Sequence, residues 1–192
     1  ENVIKYCENN SSKLIHISST SVYGKLTGFL DERLKKLEPQ TPYAKIKLLE
    51  EKKLQKSKKI NYITFRFGTI AGISPGMRFH TAVNKFCLSA VLNEPIPVWD
   101  TALHQYRPYL SLRDAFRVFK FTIEKNYFDN DVYNVLTSNL TVNQILRIIR
   151  KYKKNIKIKY VKSKIINQLS YKIDDAKFRK NFFNLNEKLE ID

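Results

Sequence analysis

Glycine is scarce in this chain: five residues in 192, at positions 24, 28, 68, 72 and 76. No GxxGxxG run follows a predicted strand, so the sequence holds no loop whose backbone could close on a dinucleotide pyrophosphate. Cysteine is scarcer still. Cys7 and Cys87 stand far apart, no CxxC occurs, and His16, His80 and His104 fall in no ligand spacing. That pattern excludes a structural zinc site, and no metal is expected. No apolar run reaches the roughly 18 residues of a spanning helix, and neither terminus reads as a signal peptide. The expectation is a soluble, cytoplasmic chain in a reducing compartment, with no membrane partner. Acidic residues number 18 against 35 lysines and arginines, a net charge of +17. Such an excess suits polyanions, but the lysines are spread along the chain among many Asn and Ile. No nucleic-acid partner is expected. The densest basic run, RKYKKNIKIKYVKSK at 150–164, carries Tyr152 and Tyr160 as single-strand binders do. The alternation in IKIKYV reads instead as a half-buried strand with its lysines in water, an edge that resists aggregation.

What is present is enough for one full domain, or a domain with a small lobe: 43% of the residues are hydrophobic, which excludes a disordered chain. KLIHIS (13–18) is a short apolar run ending in small polar residues, as a buried parallel strand does where it delivers a loop. Thr41 and Pro42 open a helix through YAKIKLLEEKKLQK. INYITFRFG (60–68) is the next strand. GTIAGISPGMRF reads as a turn, and a helix is expected over Thr81–Leu92. IPVWD and RPYLSL are short strands, RDAFRVFKFTIEK an amphipathic helix, VYNVL a strand, TVNQILRIIRKYK a helix opened by Thr141, and IKIKYV a late strand. The remaining tail is polar and weakly patterned. Alternating strands and helices without repeats imply an α/β domain with a parallel sheet. ENVIKYCENNSS reads as the end of a helix feeding an interior strand, so the chain is expected to begin in mid-fold.

Two stretches carry chemistry rather than folding. HISSTSVYGK (16–25) gathers hydroxyls at a strand end, and PYAKIK (42–47) sets Tyr43 and Lys47 four apart at a helix start, on one face. A phenol with a pKa near 10 is a poor base at neutrality, and bringing it there costs roughly 4 kcal/mol. A lysine ammonium about 5 Å away supplies on the order of 3 kcal/mol at an effective dielectric of 20. A strand-end hydroxyl such as Ser19 could align a substrate oxygen with that phenol. A YxxxK pair alone is equally an ordinary exposed helix turn; its context decides.

HISSTSVYG, TPYAKIKLLEE, ITFRFGTIAG, RPYLSLRDAFRVF and YNVLTSNLTV, in that order, resemble the extended short-chain dehydrogenase/reductase family, specifically its NAD-dependent epimerases and dehydratases of nucleotide sugars. The resemblance covers nearly the whole chain. It implies the later half of a Rossmann-type parallel sheet with a smaller α+β substrate lobe: residues 1–72 as later Rossmann strands and catalytic helix, and 73–192 as mainly lobe, with 107–136 returning to the sheet. It implies Ser19 as the catalytic hydroxyl, Tyr43 as base, and Lys47 as the group that holds the nicotinamide ribose. Phe67 and Gly68 are implied beside the cofactor, NAD or NADP. Ser19, Ser21, Thr69, Asn84, Val98, Trp99 and Arg107 are implied beside a nucleotide-sugar substrate, and the whole protein is implied to be a homodimer.

Departures narrow the reading. Dehydratases of the family carry Asp-Glu after the hydroxyl residue, where this chain has Thr20 and Ser21. Many 4-epimerases have Asn where Thr69 stands, and a family Arg is replaced by Leu169. For Arg107 an ion pair with a surface acid, and for Asn84 a backbone hydrogen bond, are the structural alternatives. The glycine-rich loop of the family lies in an N-terminal half of roughly a hundred residues that this sequence does not contain. The chain is therefore expected to be the C-terminal part of a 4-epimerase-like enzyme, poorly active and a weak NAD binder by itself. A 4-ketosugar reductase or a non-catalytic nucleotide-sugar-binding homologue are the rival readings.

Overall fold

A computed structural model describes residues 2–162 and 170–183. Helix α1 (Asn2–Asn9) leads into strand β1 (Leu14–Ser19), a 3-10 turn at Thr20–Tyr23, β2 (Gly28–Leu30), α2 (Pro42–Lys56) and β3 (Tyr62–Phe67). Then come β4 (Thr69–Ala71), α3 (Ala82–Val91), β5 (Ile96–Trp99), β6 (Tyr106–Ser111), α4 (Leu112–Glu124) and β7 (Val132–Val135). The described residues finish with β8 (Ser138–Thr141), α5 (Val142–Tyr152), β9 (Ile158–Val161), β10 (Tyr171–Ile173) and α6 (Ala176–Asn181).

The central sheet has the order β1-β3-β7, all parallel. Every residue of β3 is buried, as a strand covered on both faces must be. Ile63, Phe65, Phe67, Tyr133 and Val135 form its core with Val118 of α4 and Phe178 of α6. Its register places Ser19 opposite Phe67 and Phe67 opposite Val135, so three carboxyl ends emerge together. In open α/β sheets that is where ligands bind. A second core lies under α3 and α5, where Phe86, Ile96, Val98, Ile145 and Ile149 meet.

The expected elements are present with small shifts in their ends, and four strands are additions. Thr69–Ala71, inside the stretch read as a turn, is β4, and it pairs in parallel with Tyr109–Ser111. Residues 138–141 pair antiparallel with β6 as β8. Gly28–Leu30 and Tyr171–Ile173 pair with each other, so part of the tail read as unpatterned is a strand followed by α6. Strands of three or four residues are too short to show a period; pairing with a distant partner makes them. Within 107–136, β7 lies in the central sheet whereas β6 pairs with β4 and β8.

Gly24 closes the turn after β1. Its φ is +60°, and a Cβ there would sit 1.6 Å from the Glu38 carbonyl oxygen. Only glycine fits, which fixes the end of HISSTSVYG beneath the segment leading to α2.

Candidate active site

Ser19 ends β1 and caps the 3-10 turn, its hydroxyl accepting from the Ser21 amide at 3.2 Å. Thr20 turns inward and donates to the Phe67 carbonyl at 3.3 Å, tying the ends of β1 and β3 together. The Ser21 hydroxyl is buried with no hydrogen-bond partner. Buried hydroxyls are almost always paired, which sets Ser21 apart from its neighbours in the turn.

Helix α2 packs on β1 and on this turn. Thr41 caps it, accepting from the Ala44 amide at 3.1 Å, with Pro42 in the first turn as the sequence predicts. Tyr43 is 56% exposed, and the Lys47 ammonium lies 6.0 Å from the centre of its ring. The pair thus shares a helix face beside the strand ends. Lys47 is only 22% exposed and has a partner that sequence reasoning missed: Glu50 Oε2, at 2.9 Å. The same oxygen lies 3.0 Å from His16 Nε2. Partial burial opposes ionisation of Glu50, but hydrogen bonds from His16 and Lys47 hold it below the usual carboxylate range.

The next residue, Glu51, is 1% exposed and anchors the helix to the sheet. It takes Arg66 through Nε at 3.0 Å and through its terminal nitrogen at 2.6 Å, and accepts from the Ser18 hydroxyl. Arg66 also donates to the Tyr23 phenol at 3.0 Å, and Tyr23 donates to Asn134 at 3.0 Å. Burial pushes the Tyr23 phenol up to about 12, against the pull of the Arg66 charge. This chain of side chains locks α2, β1, β3 and β7 in one register, and so fixes where Tyr43 and Lys47 stand.

On the lobe side, Arg107 of β6 lies over the Tyr171 ring at 5.3 Å, and its Nη1 is buried without a partner. The Tyr171 phenol, kept protonated by burial against the Arg107 charge, lies within reach of both Thr20 and Arg107. Tyr171, unmarked in the sequence, therefore connects Arg107 to the hydroxyl-bearing turn. The ion pair with a surface acid is absent for Arg107 among the described residues. Asn84, 5% exposed, donates to the Arg78 carbonyl at 3.1 Å, the backbone contact named as its structural alternative. Gly68 follows β3, and a Cβ there would come within 3.0 Å of the Pro108 carbonyl group; Phe67 is buried in the sheet core, while Thr69 is exposed at the start of β4. Val98 has its side chain in the lobe core, and Trp99 beside it is 49% exposed. The structure thus joins Ser19, Ser21, Phe67 and Gly68 at one set of strand ends with α2 packed against them, and links Arg107 to that set. Among the described residues no hydrogen bond or ion pair joins them to Asn84, on α3, or to Val98 and Trp99, on β5. Leu169 lies outside the described residues.

Residues 1–135 match the NAD dependent epimerase/dehydratase family. Among solved structures, the chain superposes on a UDP-glucuronic acid 4-epimerase from Bacillus cereus in complex with NAD, with a TM-score of 0.80 and 22% identity over 98% of this chain and 61% of that one. A UDP-N-acetylglucosamine 4-epimerase from Methanobrevibacter ruminantium gives 0.76 and 22%, over 97% and 61%. A dTDP-glucose 4,6-dehydratase from Bacillus anthracis in complex with NAD gives 0.77 and 20%, over 93% and 58%. At these identities the likeness shows the fold. The chain spans about three fifths of the length of these relatives.

Proposed function

The chain belongs to the NAD dependent epimerase/dehydratase family, and from that membership we propose that the protein carrying it is a nucleotide-sugar epimerase of the 4-epimerase kind, with Ser19, Tyr43 and Lys47 as its catalytic groups and NAD or NADP as cofactor. One observation carries the reading: an exposed phenol with an ammonium on its helix face, packed beside a strand end that presents one hydroxyl in a cap and one buried without a partner. These residues fit the nicotinamide end of the cofactor. The pyrophosphate needs a glycine-rich loop that the sequence here does not contain.

The chemistry the cofactor supplies when bound is acceptance and return of a hydride. The chain's own groups handle the proton. Tyr43 takes it from the sugar hydroxyl, Ser19 aligns that hydroxyl, and the Lys47 charge favours the phenolate while its ammonium holds the ribose. Tyr43 then returns the proton once the sugar has presented its other face. Arg107 is assigned to the diphosphate, since its buried, unpartnered nitrogen is a charge-assisted donor in waiting. Ser21, Thr69, Asn84, Val98 and Trp99 are assigned to the sugar and nucleotide, and Phe67 and Gly68 to the nicotinamide side. Residues 1–72 with β7 form the cofactor half and the rest mainly the substrate lobe. Thr20 and Ser21 place no carboxylate beside Ser19 to drive loss of water, which favours epimerisation over dehydration. Val3 and Tyr6 of α1 and Ile46 and Leu49 of α2 are exposed apolar residues, in keeping with a homodimer.

Tyr43→Phe in the native protein should abolish sugar interconversion and leave nucleotide-sugar binding and the circular dichroism spectrum nearly unchanged, because one exposed hydroxyl is removed. Turnover near the wild-type rate would refute the assignment.

A further inference from the structure

Arg107 of β6 is half-buried, no acid pairs with it among the described residues, and its Nη1 is buried without a partner. A long side chain gives up rotamer freedom to stay in such a place, so something must hold it. The ring of Tyr171 does, its centre 5.3 Å from the guanidinium carbon.

A ring as holder has a chemical consequence. A carboxylate would grip the guanidinium more firmly, but it would cancel the charge and occupy the N–H donors in a fork. An aromatic face attracts the cation through its negative potential and uses none of those donors. The Tyr171 phenol is also within reach of Arg107, but a guanidinium has more N–H donors than one oxygen can take. Arg107 is thereby held with its charge intact and a donor to spare.

Tyr171 is itself fixed. It is 8% exposed and packs with Val22 and Tyr23 of the 3-10 turn and with Leu30 and Leu136. Its strand is pinned on both sides of it. The Ser170 hydroxyl accepts from the Tyr106 amide at 3.1 Å, and Asn139 brackets Ile173, donating to its carbonyl at 3.0 Å and accepting from its amide at 2.9 Å. Lys172 lies 4.2 Å from the centre of the Tyr106 ring, so β6 and β10 exchange a cation and a ring in both directions. The turn packed on Tyr171 is the one that carries Ser21 and is capped by Ser19. One side chain therefore stands between the arginine and the hydroxyls.

We propose that Tyr171 is a positioning residue for Arg107, holding its guanidinium ready, with the charge uncancelled, for the diphosphate of a nucleotide sugar. The identity of the anion rests on the proposed function; the hold on Arg107 does not.

The first test is spectroscopic and needs no ligand. In the native protein the Arg107 Nε–Hε resonance should be shifted upfield by the Tyr171 ring and should relax as an ordered group, and Tyr171→Leu should remove both signatures. A mobile, unshifted Arg107 in the wild type would overturn the hold. The second test is calorimetric titration of UDP, dTDP and GDP into the native protein and its variants. Tyr171→Leu should bind the preferred diphosphate about three- to tenfold more weakly, the cost of ordering one long side chain on binding. Tyr171→Phe keeps the ring and should bind nearly as the wild type does. In an Arg107→Ala background, Tyr171→Leu should cost nothing further. An equal loss with and without Arg107 would make Tyr171 a support of the fold alone and overturn the proposal, as would a loss in Tyr171→Phe as large as in Tyr171→Leu. Should Tyr171→Leu not fold, the wild-type resonance and Tyr171→Phe still decide the matter. A native protein that binds none of the three nucleotides would overturn the proposed function together with the diphosphate role, whereas a failed cycle in a protein that binds one of them overturns only the role of Tyr171.

Discussion

Arg66 interrupts a strand, YITFRF, whose six residues are all buried. An isolated guanidinium there would cost several kcal/mol to dehydrate, and Glu51, 15 residues away, offsets this with a forked pair of hydrogen bonds. Removing one partner leaves the other charged and buried. Glu51→Gln should therefore destabilise the fold by about 3–5 kcal/mol, read as a lower urea midpoint with little change in slope. If that variant does not fold, the double replacement Glu51→Leu with Arg66→Met should, because no charge is stranded. A Glu51→Gln midpoint equal to wild type would refute the argument. Neither residue was legible as a site residue in the sequence. Arg66 reads as one letter in a strand and Glu51 as one of a charged pair on a helix; the contact exists only once α2 lies on β3. The same holds for His16 and Glu50, 34 residues apart. Tyr43 and Lys47 were legible because four residues of helix bring them together without help from the rest of the chain.

Three threonines stand at helix starts: Thr41 and Thr141, which the sequence marks as openers, and Thr81, which it counts as the first residue of its helix. In the structure their hydroxyls differ. Thr41 accepts from Ala44. Thr141 and Gln144 form a reciprocal capping box, at 3.2 Å and 2.8 Å, in front of a stripe of Val142, Ile145, Leu146 and Ile149 that buries α5. Thr81 makes no such bond to its helix; its hydroxyl donates to the Arg78 carbonyl instead. Thr41→Ala and Thr141→Ala should each cost about 1 kcal/mol, and Thr81→Ala distinctly less. Urea titration of the three variants checks the ranking, and an equal cost at Thr81 would show that capping does not set it. Element order was legible to this degree because helices of ten or more residues, and the longer strands, carry their own period. β2, β4, β8 and β10 carry none. β4 is a strand because Tyr109–Ser111 lies beside it, and β10 because Gly28–Leu30 does.

At the scale of the whole molecule the dominant fact is a charge of +17 on a body with a radius of gyration near 16 Å, by the size scaling of compact chains. In about 10 mM salt the Debye length is roughly 30 Å, so every lysine repels every other across the fold. In about 150 mM salt it is near 8 Å, and only neighbours interact. Screening should therefore raise the thermal midpoint at pH 7 by on the order of 1 kcal/mol, or about 2–4 °C for a chain of this size, and then level off. The named ion pairs work against this, since salt weakens attraction too, but the deepest of them, Arg66 with Glu51, is buried and poorly screened. Acid sharpens the contrast. Asp31 is held below the usual carboxylate range chiefly by hydrogen bonding from Arg33, and Glu50 by His16 and Lys47 in spite of partial burial. A carboxylate with a lowered pKa contributes stability that is full above its unfolded pKa, near 4, and is lost as pH falls through its folded one. Burial raises Glu32, whose contribution runs the other way: it is fully present below the unfolded pKa and is lost as pH rises through the folded one. Each carboxylate that takes a proton also adds to the net positive charge, so repulsion increases as the attractions disappear. The thermal midpoint should fall between about pH 5 and about pH 3, and the gain from added salt should be larger at the acid end than at pH 7. Calorimetric scans at two salt concentrations and three pH values read both slopes; a midpoint that drops on adding salt at pH 7 would show that attraction between surface pairs, not repulsion across the fold, governs this chain.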